Sequence, residues 1–185
     1  THTTGNGTWT DRTDHPFYGN PKLFYGVWAA SDNDIYVVGN FTGGVMHYNG
    51  TSWTVGTLPQ LHELWGSSSN SIFALGLGGT IYHYNGSSWS LMNSGVTTYL
   101  NDVWGSDANN VFAVGDSGVV LFYNGTTWSQ MSTGTTSRLR TVWGSASDDV
   151  YAAGDDGVIL HYDGISWGEV SCSSCATYID WYSIW

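Results

Sequence analysis

Residues 103–128 read VWGSDANNVFAVGDSGVVLFYNGTTW. Trp104 stands near the start, Gly115 follows eleven residues later, Tyr123 precedes an Asn-Gly pair, and Trp128 closes the stretch. Three other stretches repeat this pattern. Residues 27–53 read VWAASDNDIYVVGNFTGGVMHYNGTSW, residues 64–89 LWGSSSNSIFALGLGGTIYHYNGSSW, and residues 142–167 VWGSASDDVYAAGDDGVILHYDGISW. The first Trp of each unit is Trp28, Trp65, Trp104 or Trp143, so the period is 37, 39 and 39 residues. The first unit carries one extra residue in its Asn40–Gly44 loop. A fixed period of this size marks a repeat architecture.

Each unit holds four short strand signals, A to D. In the third unit they are Leu100–Trp104, Val111–Val114, Val119–Tyr123 and the residues around Trp128. Gly and β-branched residues recur throughout, and no long window has helical spacing. The Asn-Gly or Asp-Gly pair between C and D supplies the positive φ of a tight hairpin. The B–C loop contains Gly in all four units, and the A–B loop is rich in Ser, Asp and Asn. Four short strands at a period of ~40 residues is the signature of a β-propeller blade. The units occupy about 24–56, 61–92, 100–131 and 139–170.

The ends extend the pattern. Asn6-Gly7-Thr8-Trp9 matches a D strand, giving an orphan D strand over 5–10. Trp181-Tyr182-Ser183-Ile184-Trp185 matches Leu139–Trp143, giving an orphan A strand over 178–185. The expected fold is therefore all-β: one propeller domain over residues 1–185, with four full blades and two orphan terminal strands, hence four to five blades. The orphan strands could complete a neighbour's blade by strand addition. Alternatively, the sequence is a piece of a longer repeat array.

Ten of the eleven Trp fall into two series. Trp28, Trp65, Trp104, Trp143 and Trp185 form one, and Trp9, Trp53, Trp89, Trp128 and Trp167 the other. Trp181 stands where the other units have Leu or Phe. Each such ring removes ~200 Å² from water when buried, so the two series are expected to anchor the blades.

Composition narrows the function classes. Fifteen acidic residues face four basic ones, for a net charge of −11, and only 10% of residues are charged. That surface repels a phosphate backbone and an anionic membrane. No apolar run approaches the ~18 residues of a membrane span. Thr1-His2-Thr3-Thr4 shows no signal peptide, which fits a mature secreted chain or an intracellular one. Few charges with abundant Gly, Ser, Thr and Asn point to an extracellular setting.

The VWGS…DVxAVGxxGxIxHYxGxxW pattern resembles repeats of secreted bacterial β-propeller proteins. More distantly it is similar to Asp-box and photosystem-assembly-factor propellers. Asp116-Ser117-Gly118 and Asp155-Asp156-Gly157 keep the Asp and Gly of an Asp box, but a hydrophobic strand replaces the Trp expected soon after. The resemblance covers about Asn6 to Trp185 and implies a fold, not an activity.

No constellation for catalysis emerges. A sialidase-like site needs three converging Arg with a Tyr–Glu pair. The only arginines are Arg12, Arg138 and Arg140, and the only glutamates Glu63 and Glu169. Arg138 and Arg140 alternate on one strand and read as a solvated pair. His47, His83 and His161 occupy one position in three units, with Phe122 in the fourth, so blade symmetry separates them and no zinc site is expected. His2, His15 and His62 show no ligand spacing. Asp32-Asn33-Asp34, Asp148-Asp149 and Asp155-Asp156 offer oxygen ligands without the spacing of a calcium loop, so Ca²⁺ is disfavoured and no cofactor is expected. Cys172 and Cys175 are read as a local disulfide pinning the 18-residue connection after Trp167; free thiols are the alternative. Asn-x-Ser/Thr occurs at Asn6, Asn40, Asn49, Asn85 and Asn124, mostly as a by-product of the Asn-Gly turn.

The reading that follows is a non-catalytic extracellular propeller that self-assembles head to tail, into an oligomer or filament, through terminal strands carrying Trp9, Trp181 and Trp185. A lectin-like module binding glycans through Tyr18, Tyr25, Tyr99 or the irregular loops is the alternative. A divergent sialidase is weakest.

Overall fold

The computed structural model describes residues 15–16, 22–171 and 180–185. Among the described residues sixteen strands form four separate four-stranded sheets. The first contains β1 (Leu23–Ser31), β2 (Asp34–Asn40), β3 (Val45–Tyr48) and β4 (Trp53–Val55). The second contains β5 (Leu61–Ser68), β6 (Ser71–Gly76), β7 (Ile81–Tyr84) and β8 (Trp89–Met92). The third contains β9 (Leu100–Asp107), β10 (Asn110–Gly115), β11 (Val120–Tyr123) and β12 (Trp128–Met131). The fourth contains β13 (Leu139–Ala146), β14 (Asp149–Gly154), β15 (Ile159–Tyr162) and β16 (Trp167–Glu169). Every sheet is an antiparallel meander in chain order, which is one blade of a propeller.

The A strands run past their Trp. β9 pairs with β10 from Leu100↔Gly115 to Asn110↔Asp107, leaving only Ala108 and Asn109 as the turn. The polar residues after Trp104 therefore belong to the ladder, with Asp107 accepting from the Asn109 N–H at 2.8 Å.

The C–D hairpins are closed differently from the expectation. Gly50, Gly86, Gly125 and Gly164 have φ of 88–89°. The preceding Asn or Asp has ordinary negative φ and acts through its side chain. Asn85 Oδ1 accepts the N–H groups of Ser87 and Ser88, both at 3.0 Å. Asn49, Asn124 and Asp163 do the same in their blades. This is an Asx turn in which Gly alone supplies the left-handed residue.

The cores lie between blades. One unites Leu61, Leu64 and Ile72 with Tyr36 and Val38, a second unites Leu100 and Val111 with Phe73 and Ile81, and a third unites Leu139 and Val150 with Phe112 and Val120. Thus β5 packs on β1, β9 on β5 and β13 on β9. Among the described residues no helix is long and apolar enough to cross a membrane.

Residues 180–185 form no strand, which corrects the expected terminal A strand. The Trp181 N–H donates to Gly154 O at 3.0 Å, so the segment lies against the fourth blade. Among the described residues no strand pairs with it. The orphan D strand over 5–10, with Trp9, lies outside the described residues.

Candidate functional site at the open blade faces

The internal blade contacts set the standard for what a covered face looks like. Each A-strand Trp lies on the Gly that follows the Trp of the next blade. A Cβ on Gly66 would meet the Trp28 ring at 2.8 Å, one on Gly105 the Trp65 ring at 2.6 Å, and one on Gly144 the Trp104 ring at 2.7 Å. The facing aliphatics are shut away: Leu64, Val103 and Val142 are 4–5% exposed, and Leu61, Leu100 and Leu139 are fully buried.

Polar side chains clip the A strands together. His62 Nε2 lies 2.5 Å from Leu100 O, and Asn101 Nδ2 donates to Leu139 O at 2.7 Å. Asp102 accepts from its neighbour Val103 N–H and from Val142 N–H of the next blade, both at 2.8 Å. Burial pushes Asp102 up to about 6 despite these donors. Glu63 holds the same strand position, accepts from Leu64 N–H at 3.0 Å, and is pushed by burial up to about 7.

Among the described residues no blade covers the outer side of the first blade in this way. Val27, the counterpart of Leu64, is 67% exposed, and Phe24, the counterpart of Leu61, is 44% exposed. Leu23 and Tyr25 are exposed beside them. Ala29 stands where the other blades have Gly66, Gly105 and Gly144. The fourth blade is open on the opposite side. Trp143 is 38% exposed. Tyr151 and Ile159 are only half-buried, whereas their counterparts Phe112 and Val120 are fully buried. Residues 181–185 cover part of this face and leave a cavity of about 250 Å³ bounded by Ala153, Ile159 and Trp181. Trp185 is almost fully exposed.

The residues singled out for chemistry do not converge. His47, His83 and His161 each stay in their own blade, stacked on the cross-strand ring of Tyr36, Phe73 or Tyr151 at 4.2–4.4 Å. A B-strand side chain holds each: Asp34 at 2.6 Å, Ser71 at 3.1 Å, Asp149 at 2.8 Å. Where Phe122 replaces His, the corresponding Asn110 bonds Asp107 instead. Asp34 and Asp149 are thus spoken for, as is Asp156, which accepts from Ser137 Oγ at 2.9 Å. Among the described residues no three His, Cys, Asp or Glu side chains gather as metal ligands would.

Arg138 and Arg140 are ion-paired rather than merely solvated, which corrects that expectation. Arg138 Nε lies 2.6 Å from Asp116 Oδ1, and Arg140 Nε donates to Asp155 while its guanidinium covers the Tyr182 ring at 4.6 Å. The B–C loops deliver both aspartates to the A strands. Tyr99 is stacked on His62 at 4.4 Å, and Tyr25 is exposed on the first blade. Arg12, Tyr18, Cys172 and Cys175 lie outside the described residues.

Three solved structures share this architecture. YCF48 from Cyanidioschyzon merolae matches with a TM-score of 0.63 at 14% identity, over 83% of this chain and 55% of its own. A structure of YCF48 bound to D1 peptide matches with a TM-score of 0.60 at 13% identity, over 82% and 55%. An ancestral GH74 enzyme matches with a TM-score of 0.69 at 19% identity, over 83% of this chain and 24% of that one.

The fold is a β-propeller.

At such identities the likeness carries the fold alone. The chain spans about half the length of the YCF48 structures and about a quarter of the GH74 enzyme. No family model matches the sequence, and no curated protein does.

Sequence reasoning missed the Gly seats under the Trp rings and the carboxylate clip at Asp102. Both carried a signal. The residue after the first Trp is Gly in three units and Ala in one, and the third A-strand residue runs Gly26, Glu63, Asp102, Thr141.

Proposed function

We propose that this propeller is a non-catalytic structural module that works by docking, and that its open faces take further copies of the same chain. The observation that carries the reading is the contrast at one repeat position: Val27 is 67% exposed where Leu64, Val103 and Val142 are 4–5% exposed. A face built to pack on a blade is thus bare, beside Phe24 and Tyr25. At the other end of the blade series Trp143 offers the ring that would seat on a following A strand. Repeating such an end-to-end contact gives a ring or a filament. An extracellular setting belongs to the same proposal and is supported by the sparse charge and the polar turns. The absence of convergent acid–base or nucleophilic groups among the described residues is consistent with a role without turnover.

Light scattering after size exclusion tests this. The proposal expects a mass well above 20.1 kDa, with Val27→Asp restoring the monomer by placing a charge in the contact.

A further inference from the structure

The three internal blade interfaces share an outer corner, and one of the three is unfilled. Each corner sets a B-strand ring of one blade against the C-strand Tyr and D-strand Trp of the next. Phe73 meets Tyr123 and Trp128 at 5.2 and 5.8 Å, and Phe112 meets Tyr162 and Trp167 at 5.6 and 6.1 Å. Tyr36 meets Tyr84 and Trp89 at 5.8 and 6.5 Å. In the first two of these corners a D-strand methionine fills the remaining space. Trp128 Nε1 donates to Met92 Sδ, and Trp167 Nε1 to Met131 Sδ, both at 3.4 Å. Trp128 and Trp167 are accordingly 8% exposed.

At the corner between the first and second blades the methionine is replaced by Gly56. Glycine has no side chain to fill the corner and offers no acceptor there. Trp89 is left only half-buried, whereas Trp128 and Trp167 are buried. A crevice of about 160 Å³ remains, with Tyr36, His47, Thr54, Gly56, Tyr84 and Trp89 among its walls. Its walls are fixed in advance. His47 is stacked on Tyr36 and held by Asp34, and Thr54 Oγ1 donates to His47 O at 3.4 Å.

We propose that this crevice binds a methionine side chain presented by a partner peptide. The molecule itself shows what fits, because two copies of the same corner hold an unbranched thioether with its sulfur on the indole N–H. Polarisable sulfur is also favoured against aromatic walls, and a preformed pocket spares the cost of ordering its walls. The inference is independent of self-assembly, since the crevice lies on neither open face.

The test is a titration of the whole chain with N-acetyl-methioninamide, read at the Trp89 indole N–H by NMR. A saturable shift with an affinity of about 1 mM is expected for so small a ligand. The norleucine analogue, which keeps the shape and lacks the sulfur, should bind several-fold more weakly. In Gly56→Met the crevice fills from within, so the titration should vanish and the Trp89 N–H should move toward the Trp128 and Trp167 signals. The wild-type comparison of the two analogues stands even if that variant does not fold. No saturable shift, equal binding of the norleucine analogue, an unchanged titration in folded Gly56→Met, or preferential binding of methyl β-glucoside at the same signal would overturn the proposal.

Discussion

Glu63 and Asp102 occupy the same A-strand position in consecutive blades, and burial raises both, from 4.5 to about 7 and from 3.8 to about 6. A carboxyl whose pKa rises on folding favours the folded state when protonated. Its contribution is complete below the unfolded pKa and is lost as pH climbs through the folded one. Asp107 and Asp163 are held low by N–H donors, from Asn109 and Ser166 respectively, and act in the opposite sense at acid pH. Stability should therefore peak near pH 4–5 and decline toward pH 8. Glu63→Gln keeps the acceptor for Leu64 N–H and removes the charge. It should flatten the upper part of that decline, by up to about 3 kcal/mol at pH 8, in denaturant titrations run across pH; an unchanged profile would show that the carboxyl is not buried as described. A second residue-scale test is Gly66→Ala, whose Cβ would sit 2.8 Å from the Trp28 ring. Overpacking of this kind should cost about 1–3 kcal/mol. Alanine is intrinsically the better strand residue, so a neutral result would mean that the ring does not rest there. The Gly was legible in the sequence as a repeated letter, but its role was not, since only the approach of two blades gives it one.

At the scale of elements, the meander of four strands per unit was readable because hydrophobic runs and Gly-containing turns alternate at fixed spacing. Two details were not readable. The A strands extend to Asp107 because the polar residues after Trp104 still pair across β10, and polarity alone resembles a loop. The hairpin Asn acts by its carboxamide rather than by its own φ, a choice that composition cannot reveal. Residues 181–185 matched the A-strand pattern through Ile184 and Trp185, yet a strand needs a partner edge as well as a pattern, and the Trp181 N–H meets a carbonyl of the fourth blade. The B–C loops carry a test of their own. Ser117 sits at φ 60° where the second blade has Gly78 at φ 63°. The left-handed region costs a non-glycine residue about 1–2 kcal/mol, partly offset by the entropy that glycine loses on folding. Ser117→Gly should thus be neutral or stabilise by up to about 1 kcal/mol in thermal melts, and a clear loss would show that the hydroxyl is used.

For the whole molecule, the repeat made the propeller legible without any relative in hand, and left the candidate site nearly invisible. The open faces are not a motif. They are positions whose repeat counterparts are buried, so they appear only when burial is compared blade by blade. Ala29 adds the finest distinction: a fourth blade docking on β1 as the internal blades dock would press Trp143 against that Cβ. If copies of the chain associate through these faces, Ala29→Gly should tighten the association several-fold by giving the ring the seat it has on Gly66, Gly105 and Gly144. An unchanged affinity would mean that β1 takes a different occupant. The most direct measurement is the solution mass of the native chain by light scattering, across a concentration series. Docking of the open faces predicts masses at multiples of 20.1 kDa that grow with concentration and collapse to a single copy in Val27→Asp. A constant mass of one chain at every concentration would contradict it.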